Sequence, residues 1–187
     1  MSQRIQFSQH GGPEVLEQID VPLSAPAAGE VRVCNHAIGL NFIAFMSCFS
    51  TVTGAGITGG LIIAIMLFSK REDYKAIAKL ALPCALFNIN EPLTFGLPIV
   101  MNPVLAIPFM ISPAVSATFA YVMTKIGFCG RMVVNAPWTT PPGLMAFLCS
   151  GGNIGAAVTQ IICILLAFVV YIPFVLISNK QQVLTEE

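Results

Sequence analysis

The sequence predicts an all-α polytopic membrane protein with broken or re-entrant helices, preceded by a short β-type fragment. Three observations predict it. The 187 residues are 56% hydrophobic and only 10% charged, with a mean hydropathy of +0.80, whereas a soluble globular domain carries roughly 25% charged residues. The charges that remain leave long uncharged runs between them. Nine of the 13 prolines fall between residues 83 and 142, where each removes a backbone donor and bends or ends a helix. Nine basic and nine acidic residues cancel, so no overall field would gather nucleic acid, and that class of partner is excluded.

Taken in order, residues 1–32 carry Arg4, Glu14, Glu17, Asp20, Glu30 and Arg32 and have soluble texture. RIQFS at 4–8 and EVRVC at 30–34 alternate with the period of strands, separated by turn residues. Some 43 residues are too few to bury a stable core unaided, since chains below about 40 residues need disulfides, metals or partners. MSQRIQFSQHGG lacks a basic segment leading into an apolar one, so a cleavable signal peptide is not expected and insertion should use internal helices.

From Val33 to Ser69 there is no Lys, Arg, Asp or Glu, and the run ends in TVTGAGITGGLIIAIMLFS, long enough to span if its Gly-rich start is helical or re-entrant. KREDYKAIAK then supplies Lys70, Arg71, Lys75 and Lys79. Between Lys79 and Lys125 lie 45 residues whose single charge is Glu91, and between Arg131 and Lys180 lie 48 with none. The last of these holds AAVTQIICILLAFVVYIPFVLIS, which at ~1.5 Å per residue can cross a ~30 Å hydrocarbon core. The positive-inside rule places the basic loop and the C-terminus in the cytoplasm, with an even number of crossings between them.

Proline-broken helices at membrane depth are tolerated only where they are buried in protein or line a water-filled cavity. Two places stand out, FNINEPLTFGLPIVMNP at 87–103 and NAPWTTPPG at 135–143. Paired discontinuities of this kind point to a transporter's binding site.

Glu91 is flanked by 11 and 33 uncharged residues, and an ionisable group so placed is either paired or performs a task. Asn88 and Asn90 offer amides that can share hydrogen bonds with a polyol, and Pro92 frees a backbone carbonyl. The plainer reading sets Glu91 at a helix end in headgroup water. Trp138 is the only tryptophan; with Thr139, Thr140, Pro141 and Pro142 it forms a rigid polar turn whose ring can stack on the C–H face of a sugar. Equally, it can belong to an interfacial aromatic belt. Gly54 and Gly56, in TGAGITGG, either let the backbone approach a ligand or serve plain helix packing.

No GxGxxG follows a strand and no GxxxxGK[ST] is present, so no nucleotide site is expected. His10 and His36 have no metal-ligand or nucleophile pattern around them. Cys34, Cys48, Cys84, Cys129, Cys149 and Cys163 show no metal-ligand spacing and read as small core residues. Neither a metal nor a cofactor is expected.

FNINEPLTFGLPIVMNPVLAIPF, VNAPWTTPPG and YIPFVLISNK make residues 44–180 similar to the C-terminal part of an enzyme IIC permease. The family is the lactose/cellobiose/chitobiose branch of the bacterial phosphotransferase system, and LFSKREDYKAIAKLALP extends the likeness toward its cellobiose and diacetylchitobiose members. The resemblance implies an inner-membrane subunit that binds a β-linked disaccharide and presents its C6 hydroxyl to a phosphorylated IIB partner, in a homodimer whose contact surface lies upstream. It implies that Glu91 contacts and assists deprotonation of that hydroxyl, and that Trp138 lies beside the sugar. The family's permease is more than twice as long, and its histidine-bearing hairpin has no match here, so no histidine is carried across. Residues 1–43, through RIQFSQHGGPEVLE and NHAIGLNFI, resemble instead the opening of a quinone oxidoreductase of the medium-chain dehydrogenase/reductase family. That family's nucleotide-binding domain is absent, so hydride transfer is not available. The expected organisation is a hybrid joined near Ile43, with a truncated IIC domain over 44–187; the alternatives are an oxidoreductase fragment or an inactive membrane remnant.

Overall fold

The computed structural model describes residues 2–6, 17–21 and 38–186. The chain divides into two units, Met1–His36 and Ala37–Glu187. In the first, β1 (Ser2–Gln6) and β2 (Glu17–Val21) pair antiparallel with Ser2 opposite Val21. Of the expected strand at 4–8, residues 4–6 lie in β1 and 7–8 fall outside the described residues, and the partner of β1 is a segment not singled out by the alternation. The expected strand at 30–34 lies outside the described residues, as do His10, His36 and Cys34.

The second unit is helical. α1 (Ile38–Phe45) runs into a π-helical turn at Met46–Ser50; a 3-10 turn at Ala55–Ile57 leads into α2 (Thr58–Phe68). α3 (Glu72–Ala85), α4 (Glu91–Gly96) and α5 (Pro103–Ile126) follow, then α6 (Leu144–Cys149) and α7 (Ile154–Glu186). Three stretches are long and apolar enough to cross a membrane: Phe42–Phe68, Pro103–Ile126 and Ile154–Lys180. Two of them follow the basic loop.

The apolar run before Ser69 is broken at 51–57, where Thr53, Gly54, Gly56 and Ile57 all take positive φ, so no regular helix passes through. Pro108 and Pro113 behave differently, for α5 continues through both. A proline removes only its own N–H, and where no water competes for the neighbouring backbone groups the remaining ladder holds. The expectation that the whole proline-rich stretch is fractured is thus corrected for 103–126 and holds for 87–103 and 135–143, which lie outside long helices.

Two cores form. In one, Leu61 and Ile65 of α2 meet Ala78 and Ala81 of α3, Leu93 of α4, Leu105 of α5 and Tyr171 of α7. In the other, Cys48 and Phe49 meet Ala120, Met145, Cys149, Ala156 and Cys163. Cys48, Cys129, Cys149 and Cys163 are buried and reduced, filling core as small side chains. α2 crosses α7 closely because Gly60 leaves room for the backbone at Ala167 and Phe168. The outer surface carries many large apolar side chains, Leu67, Tyr121, Ile126 and Val169 among them, an arrangement suited to lipid and costly in water.

The polar corner between α2 and α3 is tied to the end of α7. Asn179 accepts from the Lys70 N–H at 2.9 Å and donates to the Phe68 carbonyl at 2.9 Å. Arg71 bonds Asp73 at 2.6 Å and lies 3.9 Å from the Tyr74 ring centroid. That guanidinium hydrogen bond holds the Asp73 carboxyl below its ordinary range.

Candidate functional site

The break at 51–57, the 86–91 turn, the 137–140 turn and the start of α6 converge on one cavity of about 290 Å³. That is the lower edge of the ~300–1,000 Å³ typical of small-ligand sites. Glu91, Asn90, Asn88, Gly54 and Trp138 all line it, although the sequence spreads them over 85 positions. Ser47, Thr51, Ala55 and Met145 complete the wall. None of these four was legible as a site residue; the hydroxyls of Ser47 and Thr51, four residues apart in an otherwise apolar run, were the available signal.

Glu91 opens α4, where the exposed N–H groups and the helix dipole favour a carboxylate. Pro92 sits in the first turn of the same helix, where a missing N–H costs no intrahelical bond. It is a helix-start residue rather than one that leaves a carbonyl free within a ladder. The described ion pairs are Arg71–Asp73 and Lys75–Glu72, so Glu91 meets no cation among the described residues. An unpaired carboxylate facing a cavity is free to accept hydrogen bonds from a hydroxyl and to take its proton.

Asn88 is placed otherwise than its expected role. It is 8% exposed and left-handed at φ 62°. Its Oδ1 accepts from the Thr53 N–H at 2.7 Å, and its Nδ2 donates to the carbonyls of Trp138 and Thr140, each at 2.7 Å. The amide is committed to three backbone groups, so it braces the wall instead of offering donors to a polyol. Asn90 donates to the Ala55 carbonyl at 2.9 Å, and its side chain lies against Gly54, where any Cβ would collide with it. Gly54, at φ 91°, thereby lets Asn90 and the 51–57 backbone meet at the cavity edge.

Gly56 is not part of the cavity. A Cβ there would strike the Phe109 ring, and its carbonyl accepts from the buried Tyr171 hydroxyl at 2.8 Å, which is the packing role. Thr139 is exposed and outside the lining as well. Trp138 is 62% exposed, lines the cavity and has its carbonyl held by Asn88. Thr53, at φ 60°, is held in a strained conformation by Asn88 and by its own Oγ1, which accepts from the Gly59 N–H at 2.9 Å; such strain concentrates at functional sites. A separate groove of about 360 Å³ is lined mostly by apolar side chains, Phe42, Phe45, Met46, Tyr121 and Met132, with Thr124 and Arg131 as its polar members. Among the described residues no cluster of His, Cys, Asp or Glu can hold a metal ion.

The profile of the family described as "Phosphotransferase system, EIIC" matches residues 9–113, more than half of the chain. The chain belongs to the phosphotransferase system EIIC family. The match begins within residues 1–43 and takes in the Asn-Glu-Pro segment. This EIIC chain is 44% identical over 134 residues to the cellobiose-specific EIIC component of Lactococcus lactis subsp. lactis (strain IL1403), covering 72% of the chain and 27% of that protein. It is 39% identical over 143 residues to the lichenan permease IIC component of Bacillus subtilis (strain 168), covering 76% and 32%. Among solved structures it is similar to the transporter ChbC, the IIC component of the N,N'-diacetylchitobiose-specific phosphotransferase system. The TM-score is 0.70 at 37% identity, over 76% of this chain and 33% of that one. This EIIC chain spans about a third of the length of these relatives.

Proposed function

We propose that the chain contributes the sugar-contacting segments of a membrane permease IIC component of the cellobiose/diacetylchitobiose class. In this reading a β-linked disaccharide stacks on Trp138 while Glu91 accepts a hydrogen bond from the C6 hydroxyl and helps remove its proton. A phosphorylated IIB partner supplies the phosphoryl group, so no cofactor is required. The observation that carries the reading is that an unpaired carboxylate and the sole tryptophan, 47 residues apart, line the same cavity. Its setting is a bacterial plasma membrane, with lipid against the exposed apolar faces and the basic loop and C-terminus cytoplasmic, as the distribution of Lys and Arg favours. A homodimer is part of this reading, with its contact surface supplied by upstream segments.

Residues 1–43 stand in this reading as a segment of separate, oxidoreductase-like origin. The division of the chain at His36 favours a separate unit, while the EIIC match, which begins at residue 9, runs into it.

Equilibrium binding of cellobiose and of diacetylchitobiose to the purified protein tests the site. The wild type should bind at least one of them, and Glu91→Gln should weaken binding by about tenfold or more, because a charge-assisted hydrogen bond is replaced by a weaker neutral one. Equal binding by the two proteins would remove Glu91 from the site.

A further inference from the structure

Two buried amides commit their polar groups to the backbone around the cavity. Asn88 bonds the Thr53 N–H and the carbonyls of Trp138 and Thr140. Gln160, fully buried on α7, accepts from the Gly143 N–H at 2.6 Å and the Ala146 N–H at 3.2 Å, and donates to the Cys48 carbonyl at 2.8 Å. Each of these backbone groups belongs to a segment that supplies cavity wall. Cys48 lies in the π-helical turn between Ser47 and Thr51, while Gly143 and Ala146 flank Met145. α6 starts at Gly143, which has no side chain to cap it; Gln160 delivers that cap from another helix. An apolar residue at either position would take away the partner of three backbone groups, of which the Thr53 N–H, the Ala146 N–H and the Cys48 carbonyl are in buried bonds.

We propose that Asn88 and Gln160 are positioning residues that fix the Trp138 turn relative to Glu91. The proposal rests on the sugar-site reading above for its consequence, but not for its geometry. Asn88 is three residues from Glu91, and its side chain grips the carbonyl of Trp138 itself, so the path from carboxylate to indole runs through one amide. Gln160 holds the opposite side, joining the Ser47–Thr51 wall to the start of α6. Neither residue acts on the sugar directly; each sets where the two that do will stand.

The single tryptophan makes this directly measurable, because all indole fluorescence comes from Trp138. The full chain is reconstituted in detergent and compared with Asn88→Asp and Gln160→Glu, which keep an acceptor and lose the donors. Ser112→Ala serves as control, since its buried hydroxyl bonds the Pro108 carbonyl of its own helix and meets the Tyr171 hydroxyl, and Ser112 is not part of the cavity lining. Both amide variants should change the Trp138 emission maximum and its quenching by acrylamide without sugar present, and weaken disaccharide binding about tenfold. Ser112→Ala should leave emission and quenching unchanged. Native Trp138 fluorescence in both amide variants, or an equal response in Ser112→Ala, would overturn the proposal. Failure of both amide variants to yield helical protein would also count against it, by making them general folding determinants. If wild type binds neither disaccharide while Asn88→Asp still alters Trp138, the sugar reading fails and the positioning role stands.

Discussion

At the scale of single residues, the packing around the break at 51–57 depends on positions where one atom more would not fit. Gly56 shows it: φ is 74° and the place of a Cβ is taken by the Phe109 ring. Gly56→Ala adds left-handed strain of ~1–2 kcal/mol to an overpacking cost of ~1–3 kcal/mol. Thermal denaturation in detergent should show a loss of about 2–5 kcal/mol, whereas Gly127→Ala, which has open space around it at the end of α5, should lose only the backbone strain. A Gly56→Ala protein as stable as the wild type would contradict the packing at Phe109. The same scale separates Glu91 from Asp73: the latter is paired with Arg71 and held low, while the former faces a cavity with no described cation.

Among the elements, the helix starts decide where each apolar segment enters the fold. Asn102 caps α5, accepting from the Val104 N–H at 3.1 Å, and its amide donates to the Tyr74 hydroxyl at 3.2 Å. One side chain thus both begins the 24-residue helix and fastens it to α3. Asn102→Ala should cost about 1 kcal/mol in stability and raise amide hydrogen exchange over residues 104–106, with α7 unaffected. Exchange unchanged at those amides would show that the helix start is held by packing alone. Prolines gave less reliable element boundaries than caps. Pro103 marks the start of α5, but Pro108, Pro113 and Pro173 lie inside helices, because one absent N–H does not outweigh the packing of a long apolar helix.

For the whole molecule, α2 and α5 pack on α7, and the polar corner at Ser69–Arg71 is fastened to the end of α7 by Asn179. That fastening is remote in the chain from the Trp138 turn. Asn179→Leu should therefore lose about 1–3 kcal/mol for its hydrogen bonds to Phe68, Ser69 and Lys70 and raise exchange at Lys70, with Trp138 fluorescence unaltered. A change in that fluorescence would join the corner to the cavity as one mechanical unit. The long uncharged runs, the basic loop and the fractures at 87–103 and 135–143 were legible because each follows from composition along the chain, as was the isolation of Glu91 in one of those runs. A charge in an apolar run and a proline cluster are local facts. The roles of Asn88, Gly56 and Gln160 were not legible, since an amide's task depends on which backbone groups the fold leaves unpaired beside it, and a glycine's on what stands where its Cβ would be. The hydrophobic pattern by itself determined a helical bundle with a bilayer-like exterior and two interruptions. Only tertiary contact decided that those interruptions close on one cavity, because hydrogen bonds across 50 and 112 positions are made by space and not by spacing.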